Sequence, residues 1–153
     1  MRRLIIIASL SFFVNDLEAQ IEVQDVYSLF SKAYQTYDSG IIKTIYAEEA
    51  IYLSPGQAIE IGSNTFIGGF RGMFERARER NEALNISFKI VHRRKEGKVV
   101  IDIGYYKLVR SSLGEEDKIS VGKFIAILEK FEDGNWKFIA DGYSEAPIEA
   151  FSN

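Results

Sequence analysis

The chain has 153 residues, 46% hydrophobic and 27% charged, with a formal net charge of -3 and no cysteine. That is the length of one ordinary domain with enough chain to bury a core, and the composition excludes a disordered or fibrous protein. The missing cysteines exclude disulfides and thiolate metal sites, and the acidic balance leaves no basic excess for a nucleic-acid backbone.

Arg2 and Arg3 precede the apolar run Leu4 to Val14, which is too short to span a bilayer as a mature helix. A basic start, a short apolar run and the small residue Ala19 follow the order of a secretory signal peptide, so 1–19 is read as a signal and 20–153 as the mature domain. An N-terminal membrane anchor or a buried first strand are the alternatives. The expected product is exported, to the periplasm or the medium, with no stable membrane anchor after processing. Removing 1–19 takes away Arg2 and Arg3 with Asp16 and Glu18, so the net charge remains -3.

From Val23, apolar residues at Val26, Tyr27, Phe30, Ala33, Tyr34 and Tyr37 form the stripe of an amphipathic helix, ended by Asp38-Ser39-Gly40. Ile41 to Ala47 reads as a second short helix, and Ala50 to Leu53 as a strand closed by Ser54-Pro55-Gly56. After Gly62, Ser63 or Asn64 is placed to cap a third helix with Phe66, Ile67, Phe70, Met73, Phe74 and Ala77 on its apolar side. Its charged residues, Arg71 to Arg80, read as a solvated face. Gly68-Gly69-Phe70-Arg71-Gly72 lacks the features of a phosphate loop and reads instead as close helix-to-sheet contact.

The second half reads as strands: Leu84 to Arg94, Val99 to Val109, Lys118 to Phe131 and Trp136 to Tyr143, joined by short turns in an antiparallel meander. Alternation puts Ile86, Phe88, Ile90 and His92 on one side of the first of these, Asp102, Gly104 and Tyr106 together on the second, and Ile139, Asp141 and Tyr143 together on the last. Three helices before a run of strands give an α+β domain, a curved antiparallel sheet wrapped over the helices.

Several landmarks in order carry a resemblance: Tyr37-Asp38-Ser39-Gly40, then Ile45 to Gly56, Gly62 ahead of the third helix, Gly104-Tyr105-Tyr106, Gly122-Lys123-Phe124, and Asp133 to Asp141. Together they resemble the nuclear transport factor 2-like superfamily, in particular its SnoaL-like and ketosteroid-isomerase-related branch. The resemblance implies a cone-shaped barrel open at one end, with a homodimer formed through the outer face of the sheet, and with Ile139, Asp141 and Tyr143 facing the cavity. It does not imply one function, because that scaffold carries many.

A ketosteroid-isomerase-like site, as the resemblance implies it, needs a base just before the proline of the first strand's turn, a tyrosine two turns before the Asp38 position, and an acid on the strand of Phe124, Ala126 and Leu128. This chain has Ser54 and Phe30 at the first two positions and no carboxylate on that strand's face. Steroid-isomerase chemistry by that route is therefore not expected. Asp141 and Asp102 remain as a candidate coupled carboxylate pair, one member keeping a proton near neutrality to act as acid. The competing reading has Asp141 accepting hydrogen bonds at the barrel mouth and Asp102 facing solvent. His92, the single histidine, reads either as a base in the cavity or as a rim residue. With no cysteine beside it, no metal site and no cofactor are expected.

Tyr34, Tyr37, Tyr52, Tyr106, Phe124 and Tyr143 lie on segments that can converge as an aromatic wall suited to a small apolar ligand. Lys123 is placed near the mouth, and Ile125, Ile127 and Trp136 on the outer face, open to a dimer partner or to the C-terminal tail. The expected function is an exported small-molecule-binding domain with no identified catalysis. The alternatives are an isomerase, cyclase or hydro-lyase using Asp141, Asp102, His92 and tyrosine hydroxyls as acid and base, and a structural module with a filled cone.

Overall fold

The structure, a computed structural model, describes residues 22–152, so the expected signal segment lies outside the described residues. Helix α1 (Val23–Thr36) buries the whole stripe from Val23 to Tyr34, and the Asp25 carboxylate accepts from the Glu22 N–H at its start. It stops at Tyr37, whose left-handed φ of 55° is held by two contacts. The Tyr37 hydroxyl donates to the Glu82 carbonyl at 2.9 Å, and the Arg78 guanidinium lies 5.4 Å from its ring centre. Asp38 does not end this helix but caps the next, accepting from the Gly40 N–H at 2.8 Å. Helix α2 therefore runs Ser39–Ile45, earlier than expected, and releases Tyr46 and Ala47 to strand β1 (Tyr46–Leu53).

A two-residue strand β2 (Glu60–Ile61), absent from the sequence reading, pairs with β1. Helix α3 (Ser63–Glu79) begins at Gly62 with no side-chain cap, contrary to the role expected of Ser63 or Asn64. At φ 90° the Gly62 position suits glycine alone. Gly68 and Gly69 are exposed, and a Cβ on either would meet nothing within 4 Å. The glycine run is therefore not a close contact.

Strands β3 (Ala83–Glu96), β4 (Val99–Ser111), β5 (Lys118–Lys130) and β6 (Trp136–Glu145) form the meander. The full six-stranded order is β2-β1-β6-β5-β4-β3, and β1 joins β6 in parallel. The concave face holds α1 and α3, with Phe30 packed against Tyr34, Phe70 and Phe88 at ring separations of 5.5, 5.9 and 5.3 Å.

Two bulges decide which side chains face inward. Between β3 and β4, Ile90 pairs with Gly104 but His92 with Ile103, leaving Val91 as the extra residue. Gly104 permits it: a Cβ there would lie 2.3 Å from the Lys89 carbonyl oxygen. Between β5 and β6, Ile127 pairs with Ala140 but Leu128 with Phe138, so Ile139 is extra. Each bulge shifts the two-residue alternation by one, so the inward face of β3 changes from Ile90 to Arg93 and that of β6 from Phe138 to Asp141. The chain ends in a 3-10 turn, Ile148–Phe151, which lies over β4 and β5. Lys107 Nζ sits 4.9 Å from the Phe151 ring centre.

Candidate functional site

The cone encloses a cavity of about 540 Å³. Its walls are Tyr27, Phe30 and Tyr34 of α1, Tyr52 of β1, Phe88, Tyr106 and Phe124 of β3 to β5, and Phe138, Asp141 and Tyr143 of β6. Arg110, Ile119, Glu145 and Ile148 form the rim. Gly122 makes room for one wall: a Cβ there would lie 2.3 Å from the Tyr106 ring.

Asp141 sits level with Tyr52 in the sheet, and the Tyr46 hydroxyl donates to its Oδ2 at 2.5 Å. Burial pushes the Asp141 carboxyl up from its ordinary 3.8 to about 6, against the opposing pull of the Tyr46 hydrogen bond. Burial also raises Tyr27, Tyr34, Tyr46 and Tyr52 well above the usual phenol range and Tyr106 to about 12. These hydroxyls are therefore neutral near pH 7.

Asp102 is 0% exposed and does not face solvent. Its oxygens accept from Arg93 Nε and Nη2, each at 2.7 Å, and from the Tyr27 hydroxyl at 2.7 Å. The Asp102 hydrogen bonds hold the Arg93 guanidinium above its ordinary value, against the opposing effect of burial. The expected Asp141–Asp102 pair does not form. Both residues pair with Ala126 from opposite sides, about 10 Å apart across two strand spacings, and Arg93 already occupies Asp102.

His92 is exposed on the outer face, because the bulge at Val91 turns it away from the cavity where alternation placed it. Tyr37 is also outside the cavity, spent on Glu82 and Arg78. Lys123 is exposed on the outer face, paired between Tyr105 and Ser144. Trp136 is only 1% exposed and belongs to the core. Tyr34, Tyr52, Tyr106, Phe124, Asp141 and Tyr143 do come together around the cavity. Sequence reasoning missed Tyr27, Tyr46 and Arg93. Tyr27 was legible as the residue two helical turns before Tyr34; the other two were hidden by a helix cap and a bulge. Among the described residues no three His, Cys, Asp or Glu side chains gather as metal ligands.

No family model and no curated protein matches the sequence. Solved structures do match over most of the chain. An NTF2-like protein with a cystatin-like fold from Novosphingobium aromaticivorans superposes with a TM-score of 0.71 at 12% identity, over 86% of this chain and 85% of that one. The chain has the nuclear transport factor 2-like fold. Two more structures carry the same likeness. A ketosteroid isomerase-like protein from Erwinia carotovora atroseptica gives 0.60 at 11% identity, over 82% and 95% of the two chains. An uncharacterised protein with a cystatin-like fold from Caulobacter vibrioides gives 0.65 at 10%, over 86% and 92%. Within this nuclear transport factor 2-like cone the carboxylate comes from β6, while Phe30 and Ala126 present only carbon to the cavity. The arrangement can enclose an apolar body, donate hydrogen bonds from neutral phenols, and offer one carboxyl that changes charge near neutrality.

Proposed function

We propose that the cone binds a small, mostly apolar molecule carrying one polar group, which docks on Asp141. One observation carries this reading: an aromatic-walled cavity of about 540 Å³ with Asp141 set in its wall. The volume suits a ligand rather than a core filled by its own side chains, and the few polar groups converge where a polar end would be oriented. Export and dimerisation belong to the same proposal. The charged-then-apolar start of the sequence supports export. An apolar row across the outer face supports a dimer: Leu53, Gly142, Ile125 and Ile103 are successive register neighbours, and Ile125 is 50% and Ile103 44% exposed.

The test is to screen small aromatic and aliphatic molecules by NMR, following the methyl groups of Ile86, Leu108 and Val121. Binding should shift these cavity methyls and leave those of Ile103 and Ile125 in place. A library that moves none of them overturns the proposal.

A second reading, acid or base catalysis, is favoured by Asp141 itself. A carboxyl titrating near 6 beside a phenol is suited to proton transfer at neutral pH. Conversion of a bound molecule that stops with Asp141→Asn would establish it; unchanged conversion in that variant would overturn it.

A further inference from the structure

We infer that the ligand's polar group is a cation, a protonated amine or a quaternary ammonium, held between Asp141 and the surrounding aromatic rings. The inference rests on the ligand-binding reading above and names its chemical class.

The two inward aspartates differ in one respect. Asp102 has its counter-charge, with two guanidinium hydrogen bonds. Asp141 has no salt bridge among the described residues, and its hydrogen bond comes from the neutral Tyr46 hydroxyl. A carboxylate in an apolar cavity is stabilised by a cation more than by any neutral donor.

The wall beside it suits the same ligand. Tyr143 lies 5.8 Å from Tyr106 and 6.0 Å from Tyr52, with ring planes at 78° and 49°. All three rings line the cavity, and a ring face attracts a cation within about 6 Å. The other charges are distant. Glu145 is four residues further along β6, about 13 Å toward the mouth, and Arg110 stands on the rim eight register positions from the level of Asp141.

Asp141 is faced by Tyr46 and Tyr52 from β1, Tyr27 and Tyr34 from α1, Tyr106 and Arg110 from β4, and Tyr143 and Glu145 on its own strand, while β5 offers Phe124 and Ala126. Because burial lifts the Asp141 carboxyl to about 6, a ligand of fixed positive charge should gain about tenfold in affinity from pH 5 to pH 7 as the carboxylate forms.

The experiment is an NMR titration of the protein with benzyltrimethylammonium, its uncharged isostere neopentylbenzene, and phenylacetate, repeated at pH 5 and 7 in the wild type and in Asp141→Asn. Benzylamine serves as the primary-amine arm. The cations should bind about tenfold or more tighter than neopentylbenzene at pH 7 and lose both that margin and the pH dependence in Asp141→Asn. Neopentylbenzene binding as tightly as the cations, or phenylacetate binding best, overturns the cation and leaves the apolar-ligand reading intact. No shift of any cavity methyl with any of the four overturns both.

Discussion

Replacing Arg93 with methionine would remove the counter-charge from a carboxylate that water does not reach. Asp102 is 0% exposed and takes two hydrogen bonds of 2.7 Å from the guanidinium. Removing one partner of a buried ion pair costs about 3–5 kcal/mol, mostly the penalty of the stranded charge. The Arg93 side chain is 35% exposed, so water admitted through its vacated path offsets part of this, and the lower end, about 3 kcal/mol, is expected. For a domain of this size that lowers Tm by about 12 °C. Urea unfolding at pH 7 measures it. The double variant Arg93→Met with Asp102→Asn should recover about 2 kcal/mol, since an uncharged amide keeps an acceptor for Tyr27. A single-variant cost below about 1 kcal/mol, or no recovery in the double variant, would refute the claim that this pair secures the inner face of β3 and β4.

Three further outcomes follow from the geometry. Because the folded carboxyl of Asp141 titrates near 6 and the ordinary value is 3.8, the native state keeps its proton longer; ionisation therefore lowers stability as pH rises from about 4 to 6. Asp141→Asn should match the wild type below pH 4 and exceed it by about 3 kcal/mol at pH 7, measured by urea titration; a wild type that is the more stable at pH 7 contradicts this. Gly122→Ala should drive the Tyr106 ring from its place and cost about 1–3 kcal/mol, with displaced ring resonances in NMR; unaltered resonances would count against the close approach of 2.3 Å. Gly68→Ala and Gly69→Ala, in exposed helix positions with open space at Cβ, should each stabilise by about 0.5–1 kcal/mol, and a fall in Tm on calorimetry would show that these glycines have another role.

The helices and the meander were legible because their apolar residues repeat at helical or strand period, as in the stripe from Val23 to Tyr34 and in the alternation of Ile86, Phe88 and Ile90. The aromatic wall followed from the same periods. What failed depended on single residues. Asp38 caps forward rather than ending the helix behind it, which moved Tyr46 from a helix to the strand that meets Asp141. The parallel contact of β1 with β6 joins distant segments and leaves no local pattern. The bulge at Ile139 carries no residue signature of its own and that at Val91 is marked only by Gly104 on the facing strand, yet they exchanged His92 for Arg93 and placed Phe138 and Asp141 on one face.

The extra residue at Val91 also bears on how such a cone can change over generations. Loss of that one codon would make the strand regular, with histidine still opposite Ile103 and arginine still opposite Asp102, so neither would exchange solvent for interior. A scaffold built this way can gain or lose a residue within a strand and keep its interior chemistry, the extra length being taken up where the ladder is interrupted.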